Sequence, residues 1–428
     1  MNLYKYILTV LLLAETVAGQ AQVFDDYFFN KTLRLDYVFA GSSSRQDIFL
    51  SDLSVSPAWY GKRNRLSEVP VEGNGQVVMT DTKSGRVIYR NSFSTLFQEW
   101  LTYDEAKRSS RSFENVFLVP FPKDSATITV RLMDNRRQVK TEYTHTVDPS
   151  DILIKHIGEN KKTPYLSIQH ADDTSRCIHI AYVAEGYRVE EMDNFINDVH
   201  VANNALFSHE PFKSMKSRFS IVAVMSPSEE SGTSKPSDGI WRETALHSHF
   251  DTFYSDRYLT TLHLFDLHDW LAGIPYEHII VLVNTDIYGG GGILNSYNLV
   301  STKNEYYKPV VVHEFGHSFA GLADEYAYEE EAIPMYPHDV EPWEPNITTL
   351  THFCDKWEDM ITAKTPVPTP ANLSDKIKTG VYEGAGYSLK GVYRPSPDCR
   401  MRTNHHPEFC SVCQRAIRRL IDFYTDNQ

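Results

Sequence analysis

His313 and His317 stand four residues apart and bracket Glu314 in the run Val310–Tyr326, VVVHEFGHSFAGLADEY. Helical side chains at i and i+4 share a face, so on a helix both imidazoles point the same way. Two neutral imidazoles on one face suit Zn²⁺. In a His-Glu-x-x-His arrangement the glutamate does not bind the ion; it takes a proton from a water held beside it. The ion lowers the pKa of that water towards neutrality. Such a site needs a third protein ligand and one open position.

Pro309 suits the first turn of this helix and Gly321 its end, which predicts a helix over 309–320. The third ligand has two possible sources. One is a glutamate on a second helix further along, but the following segment IPMYPHDVEPWEP is too rich in proline to be that helix. The other is a carboxylate just past the glycine turn, where Asp324 and Glu325 stand side by side.

The rest of the chain must position this helix. Residues 23–147 read as β structure. GQVVMTD, GRVIYRNSF, NVFLVPF, ATITVRLMD and VKTEYTHTV are rich in Val, Ile, Thr, Tyr and Phe, with turn-forming clusters between them. That pattern predicts a small antiparallel β-sandwich. The polar stretch DPSDILIKHIGENKKTP reads as a linker. Beyond it CIHIAYVAEGY, RFSIVAVMSP and HIIVLVN read as strands. VEEMDNFINDVHVANNALFSHEPF and DRYLTTLHLFDLHDWL read as helices, giving an α/β domain. The glycines of TDIYGGGGILNSYNLVS lack the Lys-Ser/Thr of a phosphate-binding loop. They read as a flexible turn into an edge strand over 288–301, able to pair with an extended peptide.

The 428 residues carry a formal charge of −14, with 41% hydrophobic and 23% charged residues. This is ordinary globular composition, and it argues against a nucleic-acid binder, which would show a basic face. MNLYKYILTVLLLAETVAGQAQ has Lys5, an apolar run and then small residues, the layout of a signal peptide and too short for a membrane span. The protein is therefore expected to be exported: secreted, periplasmic or at the cell surface. No later stretch is apolar and long enough to cross a membrane. For an exported chain the five cysteines read first as disulfide partners, with CSVC as a candidate structural zinc or redox pair. Asn30, Asn346 and Asn372 lie in N-x-Ser/Thr sequons. The division expected is 1–19 signal peptide, 20–148 β-sandwich, 149–165 linker and 166–428 catalytic domain.

HEFGHSFAGLADEY resembles the signature of the IgA-peptidase family of zinc metallopeptidases, over nearly all of the chain after the signal peptide. The resemblance implies the family's own N-terminal domain joined to a metzincin-like peptidase domain with mixed sheet, His-Glu-x-x-His helix and Met-turn. It implies His313 and His317 as zinc ligands and Glu314 as general base. In the metzincin pattern the glycine comes three residues after the second histidine, where this chain has Ala320; Gly321 follows one later. Asp324 keeps the usual offset from that glycine and is chosen as third ligand over Glu325. Met401, in PDCRMRTNHHPEFCSVC before a final helix, is the expected Met-turn residue. His405 and His406 are adjacent on a loop and read as cleft wall or surface. The function implied is a zinc-dependent endopeptidase acting on immunoglobulin A or another glycoprotein bound in extended form. The alternative is a catalytically silent glycan- or protein-binding protein on a peptidase fold.

Overall fold

The computed structural model describes residues 23–160, 162–328 and 336–426. The signal-peptide reading of 1–19 lies outside the described residues.

A short helix α1 (Phe24–Tyr27) leads into β1 (Phe28–Ser42) and β2 (Arg45–Pro57). Then come β3 (Gly75–Asp81), β4 (Val87–Phe93), α2 (Leu96–Trp100), β5 (Arg111–Pro122), β6 (Ala126–Met133) and β7 (Val139–Val147). A two-residue β8 (Lys155–His156) falls inside the expected linker and pairs with β2. These strands form two sheets, ordered β5-β1-β2-β8 and β4-β3-β6-β7. β6 shows why they face each other: Ala126, Ile128, Val130 and Leu132 are buried while the residues between them are not, the period-2 signature of a half-buried strand. Aromatic rings fill the gap, with Phe93 of one sheet 4.3 Å from Phe117 of the other. The five segments read as strands all form strands; β1 and β2, the two longest, were not singled out from the sequence.

The second half is built on a six-stranded sheet. Its strands are β9 (Tyr165–Gln169), β10 (Ile178–Glu185), β11 (Phe219–Val224), β12 (His278–Val283), β13 (Gly290–Ile293) and β14 (Tyr297–Ser301). The order is β13-β14-β12-β10-β11-β9, parallel in the middle and antiparallel at both ends. β12 is buried at every position, which follows from a sheet covered on both faces. Ile279, Val281 and Val283 join a core continuous with the N-terminal sheets. Ile280 and Leu282 join a core made with helices α3 (Met192–Leu206), α5 (Tyr307–Ala320) and α6 (Ser411–Thr425). The N-terminal β structure thus covers one face of the sheet and α5 lies on the other. A hairpin, β15 (Tyr382–Ala385) and β16 (Ser388–Arg394), precedes α6.

Two expectations change. The helix read into DRYLTTLHLFDLHDWL shrinks to α4 (Leu264–Trp270). Before it, Thr261 Oγ1 donates to the Leu246 carbonyl at 2.5 Å and Thr260 pairs with His249, so local hydroxyl and bridge contacts displace the helical turn. The cysteines form no disulfide: all five are free thiols, and Cys399, Cys410 and Cys413 are buried together.

Candidate metal centre

α5 begins two residues earlier than expected and ends where the glycine predicts. Gly321 is left-handed (φ 60°), and the Leu322 N–H turns back to the Gly316 carbonyl at 3.1 Å. This reversal brings the next residues under the histidines. Asn346 locks the segment: its Oδ1 accepts from Ala323 N–H at 2.7 Å and its Nδ2 donates to the Ala323 carbonyl at 2.9 Å. Its sequon is therefore internal, for Asn346 is fully buried.

Each histidine is oriented by a carbonyl. His313 Nδ1 lies 3.0 Å from the Arg400 oxygen and His317 Nδ1 2.5 Å from the Leu322 oxygen. A carbonyl only accepts, so each Nδ1 carries the hydrogen and each Nε2 presents a lone pair. Those lone pairs meet: the two Nε2 atoms are 3.0 Å apart, and Asp324 Oδ1 sits 3.1 Å from one and 3.3 Å from the other. Asp324 Oδ1 is buried with no hydrogen bond of its own, while Oδ2 accepts from the Tyr387 hydroxyl. Three acceptors crowded together repel unless a cation joins them. Tetrahedral Zn²⁺ with bonds of about 2.0–2.1 Å puts its ligand atoms about 3.3 Å apart, so the donor set and its spacing fit zinc. Without the ion a proton takes its place. Burial alone would lower His317, but the Asp324 charge and hydrogen bond outweigh it and hold the imidazole up at about 9. Burial pushes Asp324 the other way, and the two histidines more than offset this, holding its carboxyl far below the usual range.

Glu314 stands outside the donor triad. Burial raises its carboxyl above the ordinary value, which the neighbouring imidazoles only partly counter. The glycine run explains its surroundings. A Cβ at Gly290 would lie 2.8 Å from Glu314 Oε1, and one at Gly292 only 2.4 Å from the Glu314 carbonyl oxygen. The glycines therefore let β13 lie directly against α5, a tighter role than a flexible turn. Of the 288–301 segment, β13 alone is the sheet edge, since β14 is paired on both sides; Gly290 also bridges Tyr258.

Met401 sits beneath the helix, fully buried, in a turn where Arg402 and Thr403 N–H groups return to the Cys399 carbonyl. A Cβ on Gly316 would be 2.8 Å from its sulfur, so the glycine between the histidines makes room for the methionine. His405 and His406 are not in the donor group; His406 Nδ1 faces the Glu408 carbonyl at 2.7 Å and His405 packs edge-on against Tyr306. Glu325 also turns away from the histidines: its Oε1 lies 3.1 Å from Cys413 Sγ. Glu99 was not anticipated. It comes from α2, more than two hundred residues upstream, accepts from the Tyr258 hydroxyl at 2.6 Å, and is held by burial at about 7, with Asp324 and His317 also acting on it. No local motif marks such a residue.

Residues 23–144 match the profile described as Peptidase M64 N-terminus, and residues 166–378 and 371–421 match IgA Peptidase M64. The chain belongs to the IgA Peptidase M64 family. No curated protein matches it. The IgA Peptidase M64 match takes in α5, Asp324 and Met401, so the donor triad, the carboxylate beside it and the methionine beneath all fall within the peptidase portion.

Proposed function

We propose that this peptidase is an exported, zinc-dependent endopeptidase, with a metzincin-like site in which His313, His317 and Asp324 hold the ion and Glu314 is the general base. One observation carries the reading: two Nε2 lone pairs and a buried carboxylate oxygen without a hydrogen bond converge within 3.0–3.3 Å. Zinc held by His313, His317 and Asp324 would supply a Lewis acid able to polarise the scissile carbonyl and acidify a water. Glu314 accepts the proton of the attacking water and passes it to the leaving amine. Burial raises its carboxyl above the ordinary value, the direction that makes it a better proton acceptor. Arg400 and Leu322 carbonyls keep both imidazoles in the ligating tautomer, and Tyr387 fixes which Asp324 oxygen faces them. An extended segment of immunoglobulin A or another glycoprotein would lie near β13, the sheet edge closest to Glu314.

Metal analysis of Glu314→Gln, together with cleavage of a broad peptide library, tests this reading. The expected result is wild-type zinc at the histidine site and no turnover. Wild-type cleavage by that variant would remove Glu314 from the mechanism. Zinc occupancy in the wild type without cleavage of any peptide would favour a silent binding protein.

A further inference from the structure

The carboxylate next to Asp324 faces a second, separate cluster. Cys399, Cys410, Cys413 and Glu325 each offer one ligand atom, and these atoms lie within 4.8 Å of one another with all four residues buried. We infer that these four side chains form a second zinc site, structural rather than catalytic, which fastens the third-ligand segment to the Met401 loop and to α6. The inference stands on its own residues and does not require the histidine site to be active.

The spacing of the four ligand atoms is compatible with a tetrahedral site. With Zn–S of about 2.3 Å and Zn–O of about 2.0–2.2 Å, sulfurs lie about 3.8 Å apart and sulfur to oxygen about 3.5 Å. Cys399 Sγ and Cys413 Sγ are 3.9 Å apart, and Glu325 Oε1 is 3.1 Å from Cys413 Sγ and 3.9 Å from Cys410 Sγ. A disulfide would need about 2.05 Å. The surroundings are those of a thiolate site. The Cys410 backbone N–H donates to Cys399 Sγ at 3.1 Å, and Asn346 Nδ2 donates to Glu325 Oε1 at 3.0 Å. Glu325 has no measurable exposure, yet its Oε2 has no hydrogen-bond partner. A carboxylate with an unpaired oxygen among three thiols is costly to bury unless a cation joins them. Three sulfurs and one oxygen with no open position describe a closed zinc site.

What such an ion would hold together is specific. Cys399 and Cys410 bracket the loop that carries Met401 and the Arg400 carbonyl facing His313 Nδ1. Cys410 caps α6 and Cys413 lies in its first turn. Glu325 is bonded to Asp324, and its N–H donates to the Met401 carbonyl at 2.8 Å. The adjacent carboxylates are thus divided, one to each metal.

The test uses the full-length chain with His313 and His317 both changed to Ala. It should retain one zinc per chain. Replaced by cobalt, that metal should show a thiolate-to-cobalt charge-transfer band, and X-ray absorption should show three sulfurs and one oxygen. Adding Cys413→Ser should abolish the band. In the otherwise wild-type chain, Cys399→Ser should weaken zinc at the histidine site by about 10–100-fold, the usual effect of losing outer support. No thiolate-bound metal in the double-histidine variant overturns the inference, as does a Cys410–Cys413 disulfide found by thiol counting in denaturant. A wild-type protein holding zinc only on sulfur would instead overturn the catalytic reading and leave this one standing.

Discussion

Replacing Gly292 with alanine probes how closely β13 must approach the metal helix. The backbone there is not in the left-handed region, so alanine is conformationally allowed and only space opposes it. The new methyl would lie 2.4 Å from the Glu314 carbonyl oxygen and 3.0 Å from His317 Cβ, where ordinary contact begins at 3.4 Å. Backbone faces backbone, so β13 and α5 must separate by about 1 Å at the first contact. If Glu314 is the base as proposed, a displacement of that size costs roughly 10²-fold in rate, about 2.7 kcal/mol of barrier, and overpacking costs about 1–3 kcal/mol of stability. Gly290→Ala differs. Its methyl meets the end of the Glu314 side chain, 2.8 Å from Oε1, and Val310 Cγ1 at 3.0 Å, so Glu314 should shift while the histidines stay in place. Expected outcomes are about a hundredfold loss of kcat/KM with weakened zinc binding for Gly292→Ala, and lost kcat with wild-type zinc for Gly290→Ala. The assay pairs hydrolysis of a fluorogenic peptide with zinc titration of each variant. Wild-type rate and zinc affinity in Gly292→Ala would refute the claim that the glycines serve close packing.

Other outcomes follow from the same geometry. Tyr387→Phe removes the donor to Asp324 Oδ2 and should weaken zinc about 10–100-fold in a competition titration with little change of fold. Asn346→Ala strands the buried Ala323 N–H and carbonyl and should cost about 1–3 kcal/mol for each, seen as a lower Tm. In a glycosylating host, mass spectrometry should find no glycan on buried Asn346, whereas Asn30 and Asn372 are exposed. For the metal-free protein, His317 is raised from 6.5 to about 9, so its contribution to stability is complete below about pH 6.5 and lost as pH rises through 9. Apo protein should therefore show a Tm falling over that range, while zinc, which needs the neutral imidazole, should bind more weakly on the acid side.

Much of this was legible because it is local. The i, i+4 histidines, the glycine stop and the returning carboxylate lie within seventeen residues of chain, and backbone rules alone place them on one helix and one turn. The expected helix agrees with the structure for that reason, and the carboxylate that the turn brings beside both histidines is Asp324. What sequence could not supply were contacts across the chain. Glu325 looked like a rival for the histidine metal because its true neighbours, Cys399, Cys410 and Cys413, lie more than seventy residues away. Glu99, hydrogen-bonded to Tyr258 beside β13, comes from the N-terminal half, which carries no catalytic pattern of its own. The glycine run looked flexible because its reason, the face of α5, is visible only once β13 is docked. β12 gave its burial away by a continuous apolar run, but not that a β structure, rather than helices, would cover one of its faces.

The proposal that His313, His317 and Asp324 hold zinc is tested most directly by an anomalous difference map recorded at the zinc edge from crystals of the zinc-loaded protein. The predicted result is a peak bounded by His313 Nε2, His317 Nε2 and Asp324 Oδ1. A map with no peak among those three atoms would contradict the assignment of the catalytic centre.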